Sequence, residues 1–341
     1  MSPTPRKKIR KMKHIVVTLL FTALCFLALP LWAGSRAAPQ LRAEGSVDAM
    51  GGAFTIAAYG TDRAKLETAI AQALEEARRL NQLLSNYLPD SEWSRVNRLA
   101  GRQPVTVSPE LFQLLQDCIS YSRQSEGTFD ITVGPLMKVW GFYKGSGHLP
   151  HRAEVQAALE DVGWRKIELD PRNHTVRFAS PAVNIDPGGI GKGYAVDRMA
   201  DILKQDGVKS ALVSGASSSI YAIGAPPGEQ GWKVGIKNPR DTSKTAATVW
   251  LKDQSLSTSG NYEKFFYADG KMWSHIMDPR TGYPSMGTLS VSIISPRTID
   301  SEAWAKPYYI LGRDWTAKHK NKEFRVFYCE DKLDTPCAWL Q

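Results

Sequence analysis

The sequence has little cysteine: four residues in 341, with no CxxC pair and no Cys/His spacing of a zinc site. That removes the zinc-ribbon and thiol-redox readings. It has no HExxH and no GxSxG, so neither a zincin nor an α/β-hydrolase signature is present. Internal repeats are absent, as are low-complexity tracts past the N-terminus. A basic surplus on the folded part is lacking too. The formal charge is +9, but seven of the Lys and Arg lie in residues 1–37, which hold no acid, so removing those seven leaves +2 for the rest. Nothing then argues for a nucleic-acid partner.

What is present starts with a basic cluster, Arg6, Lys7, Lys8, Arg10, Lys11 and Lys13. An apolar run follows from Ile15 to about Trp32, then small residues, Ala33-Gly34-Ser35 and Ala37-Ala38. That order is a secretory signal. The run is near the lower limit for spanning a bilayer, so residues 1–37 read either as a cleaved signal peptide or as a retained membrane anchor. Thr22-Ala23-Leu24-Cys25 is a poor lipidation site. Both readings put the remaining chain outside the cytoplasm, periplasmic or anchored on the outer side of the inner membrane. Export permits disulfides. Cys329 and Cys337 flank a short polar turn and are spaced to pair, whereas Cys118 lies in an apolar helical pattern as a buried thiol.

The remaining chain of about 300 residues suffices for one large domain or two closely joined ones. Leu66, Ile70, Ala73, Ala77, Leu80 and Leu84 recur at helical spacing and predict a helix over 62–85, started by Asp62. Ser108 caps a second helix with Leu111, Leu114, Leu115 and Cys118 on its buried side. A Gly- and Pro-punctuated stretch covers 127–150, and a short helix fits 152–162. Val183-Asn184-Ile185 reads as a strand leading into a glycine-rich loop, 186–193, and a helix that ends before Gly207. Strands are expected at 54–59, 210–214, 219–223, 232–236, 246–252, 289–295 and 324–329, with a short helix near 301–311. Helices and strands mix without regular alternation, which predicts an α+β fold.

Four segments could carry chemistry. In Asp186-Pro187-Gly188-Gly189-Ile190-Gly191-Lys192-Gly193, glycines before a helix let backbone N–H groups approach an anion, and Lys192 adds charge. The spacing is neither a P-loop nor GxGxxG, so turn chemistry alone is an equal reading. Ser274 to Gly282 holds His275, Asp278, Arg280 and Thr281. The histidine can move a proton and the arginine can grip a phosphate, but a capped turn is the simpler reading. Gly127 to Leu136 sets Phe129 beside Asp130, suited to a ring and its polar edge or to a strand entering the core. Leu256 to Tyr262 is a small polar turn that suits a ligand wall or nothing at all.

Taken together and in order, these blocks resemble the ApbE family of FAD:protein FMN transferases. The resemblance runs over about 45–315. It is carried by Leu80 to Tyr87 with Ser91-Glu92 and Asn97, by Gly127 to Leu136 with Trp140 and Phe142, by Asp186 to Asp197, by Thr258 to Glu263, and by His275 to Gly282. It implies a single ApbE-like domain with mixed sheets and flanking helices, followed by a C-terminal extension, 316–341, packing on it. It implies FAD as substrate, a protein acceptor with a Ser or Thr hydroxyl, and release of AMP. Met50, Tyr87, Thr128, Phe129, Asp130, Asp186, Lys192 and Ile276 would line or hold the dinucleotide. His275 would accept the proton of the incoming hydroxyl or orient it.

The family also implies a magnesium ion, held by the Gly189 carbonyl and by an Asp and a Thr of a late block. That block reads Ser301-Glu302-Ala303-Trp304-Ala305-Lys306 here, with Glu302 at the Asp position and Lys306 at the Thr position. Glutamate can ligate magnesium. A protonated lysine has no lone pair to offer. At 4 Å its repulsion of a dication is about 8 kcal/mol at an effective dielectric of 20. Three outcomes follow: Lys306 turns away from a weakened metal site, its ammonium replaces the metal, or the chain binds FAD without transferring it. Hydrolysis of FAD to FMN and AMP is a further alternative. A second departure is Gly215-Ala216-Ser217-Ser218-Ser219, where relatives carry a Gly-Gly pair.

Overall fold

The computed structural model describes residues 40–145 and 147–341. The signal or anchor expected in residues 1–37 lies outside that range. No described helix is long and apolar enough to cross a membrane.

Its centre is an 8-stranded sheet with antiparallel neighbours throughout. The order is Leu41–Ala49, Gly52–Gly60, Ser210–Gly215, Ser219–Ile223, Gln254–Gly260, Thr288–Ser295, Arg325–Glu330 and Ala338–Trp339. Alternation dictates its faces. Phe54, Ile56 and Ala58 point to one side. There they meet Leu66, Ile70, Ala73 and Ala77 of helix Arg63–Leu84 and Val196, Met199 and Leu203 of helix Gly191–Gln205. Ala57 and Tyr59 point to the other side, toward the hairpin of Trp232–Asn238 and Asp241–Leu251. Strand Thr288–Ser295 is buried at every position because it is covered on both faces. Val291 and Ile293 pack with Tyr308 and Tyr309 of helix Thr298–His319, while Ile294 packs with the hairpin.

A second core joins helix Glu92–Leu99, helix Pro109–Gln124 and a 3-stranded sheet of Val105–Thr106, Thr175–Phe178 and Ile167–Asp170. The expected caps are in place: Asp62 accepts from Lys65 N at 3.1 Å and Ser108 from Leu111 N at 3.3 Å. Cys329 and Cys337 form a disulfide, and Cys118 is buried with its thiol pushed well up by desolvation. Residues 316–341 supply two strands of the main sheet.

The α+β class stands, and several elements differ from the sequence reading. Val183–Ile185 is not a strand. No ladder forms there, and Ile185 is bonded to side chains: Asn97 Oδ1 accepts from Ile185 N, and Trp93 Nε1 and Asn97 Nδ2 donate to Ile185 O, at 2.8–2.9 Å. The polar turn read at 256–262 is instead strand Gln254–Gly260, held between two ladders whose partners are far away in sequence. The helix near 301–311 starts earlier, at Thr298, and continues beyond a break at Gly312 (φ 86°, ψ 173°) to His319. The helix at 152–162 stops at Leu159.

The start of the Thr298–His319 helix has a long-range cause. Its own N-cap residue, Arg297, makes no side-chain cap. Asp197, on the Gly191–Gln205 helix, accepts from Thr298 N at 2.7 Å and Ile299 N at 2.9 Å instead. Asp197→Ala is therefore expected to cost about 1–2 kcal/mol, the usual cost of a lost cap, read as a lower midpoint in urea unfolding.

Candidate active site

A cleft of about 600 Å³ opens between the two cores. Met50, Tyr87, Thr128, Phe129, Asp130, Asp186, Gly189, Lys192, His275, Ile276, Glu302 and Lys306, the residues singled out in the sequence, all line it. A larger, shallower groove of about 1040 Å³ runs beside it and shares Asn86, Tyr87 and Tyr143. The smaller cleft holds the glycine loop, the histidine, Lys192, Lys264 and Lys306, so the chemistry belongs there.

One wall is the tight turn between the first two strands. Ala49 pairs with Gly52, and both loop residues are left-handed, Met50 at φ 49° and Gly51 at φ 76°. Asn81 Oδ1 accepts from Met50 N at 2.9 Å and steadies this strained residue. The opposite wall is Phe129, 3% exposed and edge-on to Tyr121 at 5.7 Å. Asp130 beside it is already engaged. Its Oδ1 accepts from Thr132 N and Oγ1, at 2.8 and 2.6 Å, and its Oδ2 from Trp164 N at 2.7 Å. Burial raises its pKa against these bonds. Asp130 thus builds the turn that presents Phe129.

The floor is the glycine loop. Asp186 Oδ1 accepts from Gly188 N at 2.7 Å, while Oδ2 accepts from Tyr143 OH at 2.7 Å and Asn86 Nδ2 at 2.8 Å. The carboxylate therefore fixes the loop's shape from both sides. The helix then starts at Gly191, with Lys192 in its first turn. Gly193 is needed for close packing: a Cβ there would lie 2.7 Å from both Glu302 Oε2 and Thr298 O. In that turn Gly191 N already donates to Pro187 O and Gly193 N to Glu302 Oε2, so Lys192, by its backbone N–H and its ammonium, is the group left to receive an anion.

His275 follows the hairpin Phe265–Ala268 and Lys271–Ser274. Its Nδ1 lies 3.2 Å from the Lys264 carbonyl, which can only accept, so Nδ1 carries the proton and Nε2 keeps its lone pair. Burial, with smaller effects from the Lys192, Lys264 and Lys306 charges, lowers its pKa to about 4. The ring is neutral at pH 7 and equipped to accept a proton. The rest of its segment makes the capped turn. Arg280 donates to Asp278 through Nε at 3.0 Å and Nη2 at 2.8 Å, and neither residue lines the cleft. The capped-turn reading, the simpler one from sequence, holds over a phosphate grip by Arg280.

Several polar groups of the cleft stand without partners, among them Glu302 and two residues of the serine run, both singled out in the sequence. Asn86 Oδ1, Ser218 Oγ, Ser219 Oγ and Glu302 Oε1 are buried cleft-lining atoms with no hydrogen-bond partner. Buried polar atoms are ordinarily satisfied, so their gathering on one cleft marks where a polar ligand would bind. The serine turn carries backbone strain: Ala216 (φ 51°) and Ser217 (φ 59°) occupy the left-handed region. Ala216→Gly is expected to raise stability by about 1 kcal/mol, read as a higher melting temperature by calorimetry.

A divalent metal does not fit the late-block residues. Glu302 is 2% exposed, and its Oε2 accepts from Gly193 N. Lys306 Nζ lies 3.1 Å from Glu302 O and 3.9 Å from Glu302 Oε1. Desolvation lowers its pKa to about 8, against the attraction of Glu302, which leaves it mainly cationic at pH 7. Among the described residues no three His, Cys, Asp or Glu side chains gather as a metal group.

An antiparallel α+β domain whose cleft is lined by a lysine at a helix start and a neutral histidine suits a class of proteins that bind a phosphate-bearing ligand, not a single member. The family is fixed by comparison. The ApbE family model matches residues 50–327. A FAD:protein FMN transferase of Klebsiella pneumoniae is 34% identical over 268 residues, covering 77% of this chain and 80% of its own. One from Salmonella typhimurium is 30% identical over 307 residues, covering 85% and 86%. Among solved structures, the ApbE protein of Thermotoga maritima superposes with a TM-score of 0.79 at 29% identity, covering 85% of this chain and 95% of its own. The flavin transferase ApbE of Vibrio cholerae gives 0.75 at 26%, covering 89% and 97%. This chain belongs to the ApbE family.

Proposed function

We propose that this protein transfers the FMN half of FAD to a Ser or Thr hydroxyl of an exported or membrane-bound redox protein and releases AMP. The observation that carries the reading is the cleft, where a helix-start anion site, Lys192 and a neutral His275 face one another. The Klebsiella and Salmonella relatives, both FAD:protein FMN transferases, support it over most of both chains. In this reading Met50, Tyr87 and Phe129 receive the flavin ring. Lys192, through its ammonium and its N–H in the first helical turn, holds the pyrophosphate.

The acceptor hydroxyl gives its proton to His275 Nε2. Its oxygen forms a bond to the FMN-side phosphorus, and the bond from that phosphorus to the bridging oxygen breaks. AMP leaves with the bridging oxygen, and FMN stays on the acceptor as a phosphodiester. The charge that develops on the phosphoryl oxygens falls on groups already aimed at it, so little reorganisation is needed. No step runs through a metal.

Transfer is tested by incubating the full-length protein with FAD and extracytoplasmic proteins of its source cell. Denatured samples are then scanned for flavin fluorescence that travels with a polypeptide. A fluorescent band and stoichiometric AMP are expected. Free FMN with AMP and no band would make the protein a hydrolase, and bound FAD with no AMP would make it a binding protein.

The site of action we propose is outside the cytoplasm. The basic, apolar, small-residue order of residues 1–37 and the Cys329–Cys337 disulfide support it. A reporter active only after export, fused behind residue 37, should be active. An inactive fusion would place the protein in the cytoplasm.

A further inference from the structure

Lys306 does not behave as a surface lysine. It lies one turn after Glu302 on the same helix, and its side chain curls back over that helix into the cleft. It donates to Glu302 O at 3.1 Å, and its Nζ lies 3.9 Å from Glu302 Oε1. Its stem runs along the glycine loop: a Cβ on Gly189 would sit 3.7 Å from Lys306 Cε. Glu302 is 2% exposed, and its Oε1 has no hydrogen-bond partner. Its Oε2 accepts from Gly193 N in the first turn of the Gly191–Gln205 helix. The carboxylate therefore joins the ammonium to the helix start that forms the anion site. An ammonium has three donors, and only one is taken by the Glu302 carbonyl.

We propose that the Lys306 ammonium, anchored by Glu302, is the built-in cation for the FAD pyrophosphate and takes the place of a divalent metal ion. This rests on the transfer reading above. Lysine is a compact point charge suited to a phosphate. Being covalently attached, it supplies charge with no ion to recruit, and it shares the cleft with Lys192 and Lys264. It also bars a competitor, because a dication beside it would meet direct repulsion. In the transfer step the Lys306 ammonium stays protonated and forms no bond. The bond changes remain those of the acceptor oxygen, the FMN-side phosphorus and the departing AMP.

The test uses Mn²⁺ as probe on the full-length protein with FAD bound. Electron paramagnetic resonance reads how much of the ion is free, against FAD alone. Parallel titrations measure FAD affinity in chelator and in magnesium chloride. For wild type we expect no Mn²⁺ uptake beyond the FAD control, the same FAD affinity in both media, and AMP release that persists in chelator. Lys306→Thr should take up Mn²⁺, and its FAD affinity and AMP release should become magnesium-dependent. Lys306→Met keeps the stem and loses the charge. It should bind FAD at least about tenfold more weakly in chelator, the scale of one lost charge-assisted contact.

Wild type that takes up Mn²⁺ and releases AMP only with metal overturns the proposal and leaves the transfer reading intact. Lys306→Met with unchanged FAD affinity in chelator also overturns it. AMP release by no form, with the Mn²⁺ and FAD results as expected, sinks the transfer reading and leaves the cation assignment standing.

Discussion

His275→Gln should lower AMP release from FAD by about 10³-fold, within the range for loss of a general base, while FAD affinity changes little. Glutamine fills a similar volume and can still bond the Lys264 carbonyl that Nδ1 meets at 3.2 Å, but it cannot take up the proton. Burial lowers the pKa of His275 to about 4, so its neutral form persists well into the acid range. The acid limb of the pH–rate profile should fall near pH 4 rather than at the ordinary value of about 6.5. The sign for stability follows from the same shift. The unfolded chain binds the proton more readily, so the contribution of the neutral ring is complete above about pH 6.5. It is lost as pH falls toward 4. An acid limb near 6.5 or above, or a glutamine variant of near-normal rate, would remove His275 from the base role.

Lys192→Met should weaken FAD binding and lower AMP release together, with a combined loss of about 10²–10³-fold in kcat/KM. Lys192 sits in the first turn of the Gly191–Gln205 helix and lines the cleft. Methionine keeps the length and removes the charge from the pyrophosphate site. Lys192→Arg should recover part of the loss, because the charge returns in a different shape. Steady-state kinetics with FAD as the varied substrate checks both. A methionine variant with unchanged KM and kcat would remove the Lys192 ammonium from the pyrophosphate site.

Much of this protein is legible in its sequence because its strongest signals are local. The spacing of Leu66, Ile70, Ala73, Ala77 and Leu80 needs only a helix and a sheet to cover, and that helix is present with its Asp62 cap. The glycine loop before a helix, and His275 at the head of a Pro- and Gly-shaped turn, are visible as residue types in order. What could not be read is non-local. Gln254–Gly260 carries serines and glycine where strands prefer β-branched and aromatic residues, and is a strand through its two neighbours. Val183–Ile185 has strand composition, yet the hydrogen bonds of Ile185 go to Trp93 and Asn97, about 90 positions earlier, and Asn184 O accepts from Gly134 N.

The site divides in the same way. Residues brought together in the cleft were named through the family resemblance, and the duties of some could not be read from residue type. Asp130 looks like a ligand group and is spent on Thr132 and Trp164. Arg280 looks like a phosphate clamp and is closed on Asp278. Asp197 looks like one more charge on a helix, and it caps the helix that carries Glu302 and Lys306. The orphaned oxygens of Asn86, Ser218 and Ser219 depend on which surfaces meet, which no local pattern encodes.

The most direct test of the central claim is mass spectrometry of an extracytoplasmic acceptor after incubation with this protein and FAD, with AMP counted in the same tube. The account predicts one FMN phosphodiester on a Ser or Thr for each AMP released, and neither product with His275→Gln. AMP matched by free FMN, with the acceptor unmodified, would contradict it.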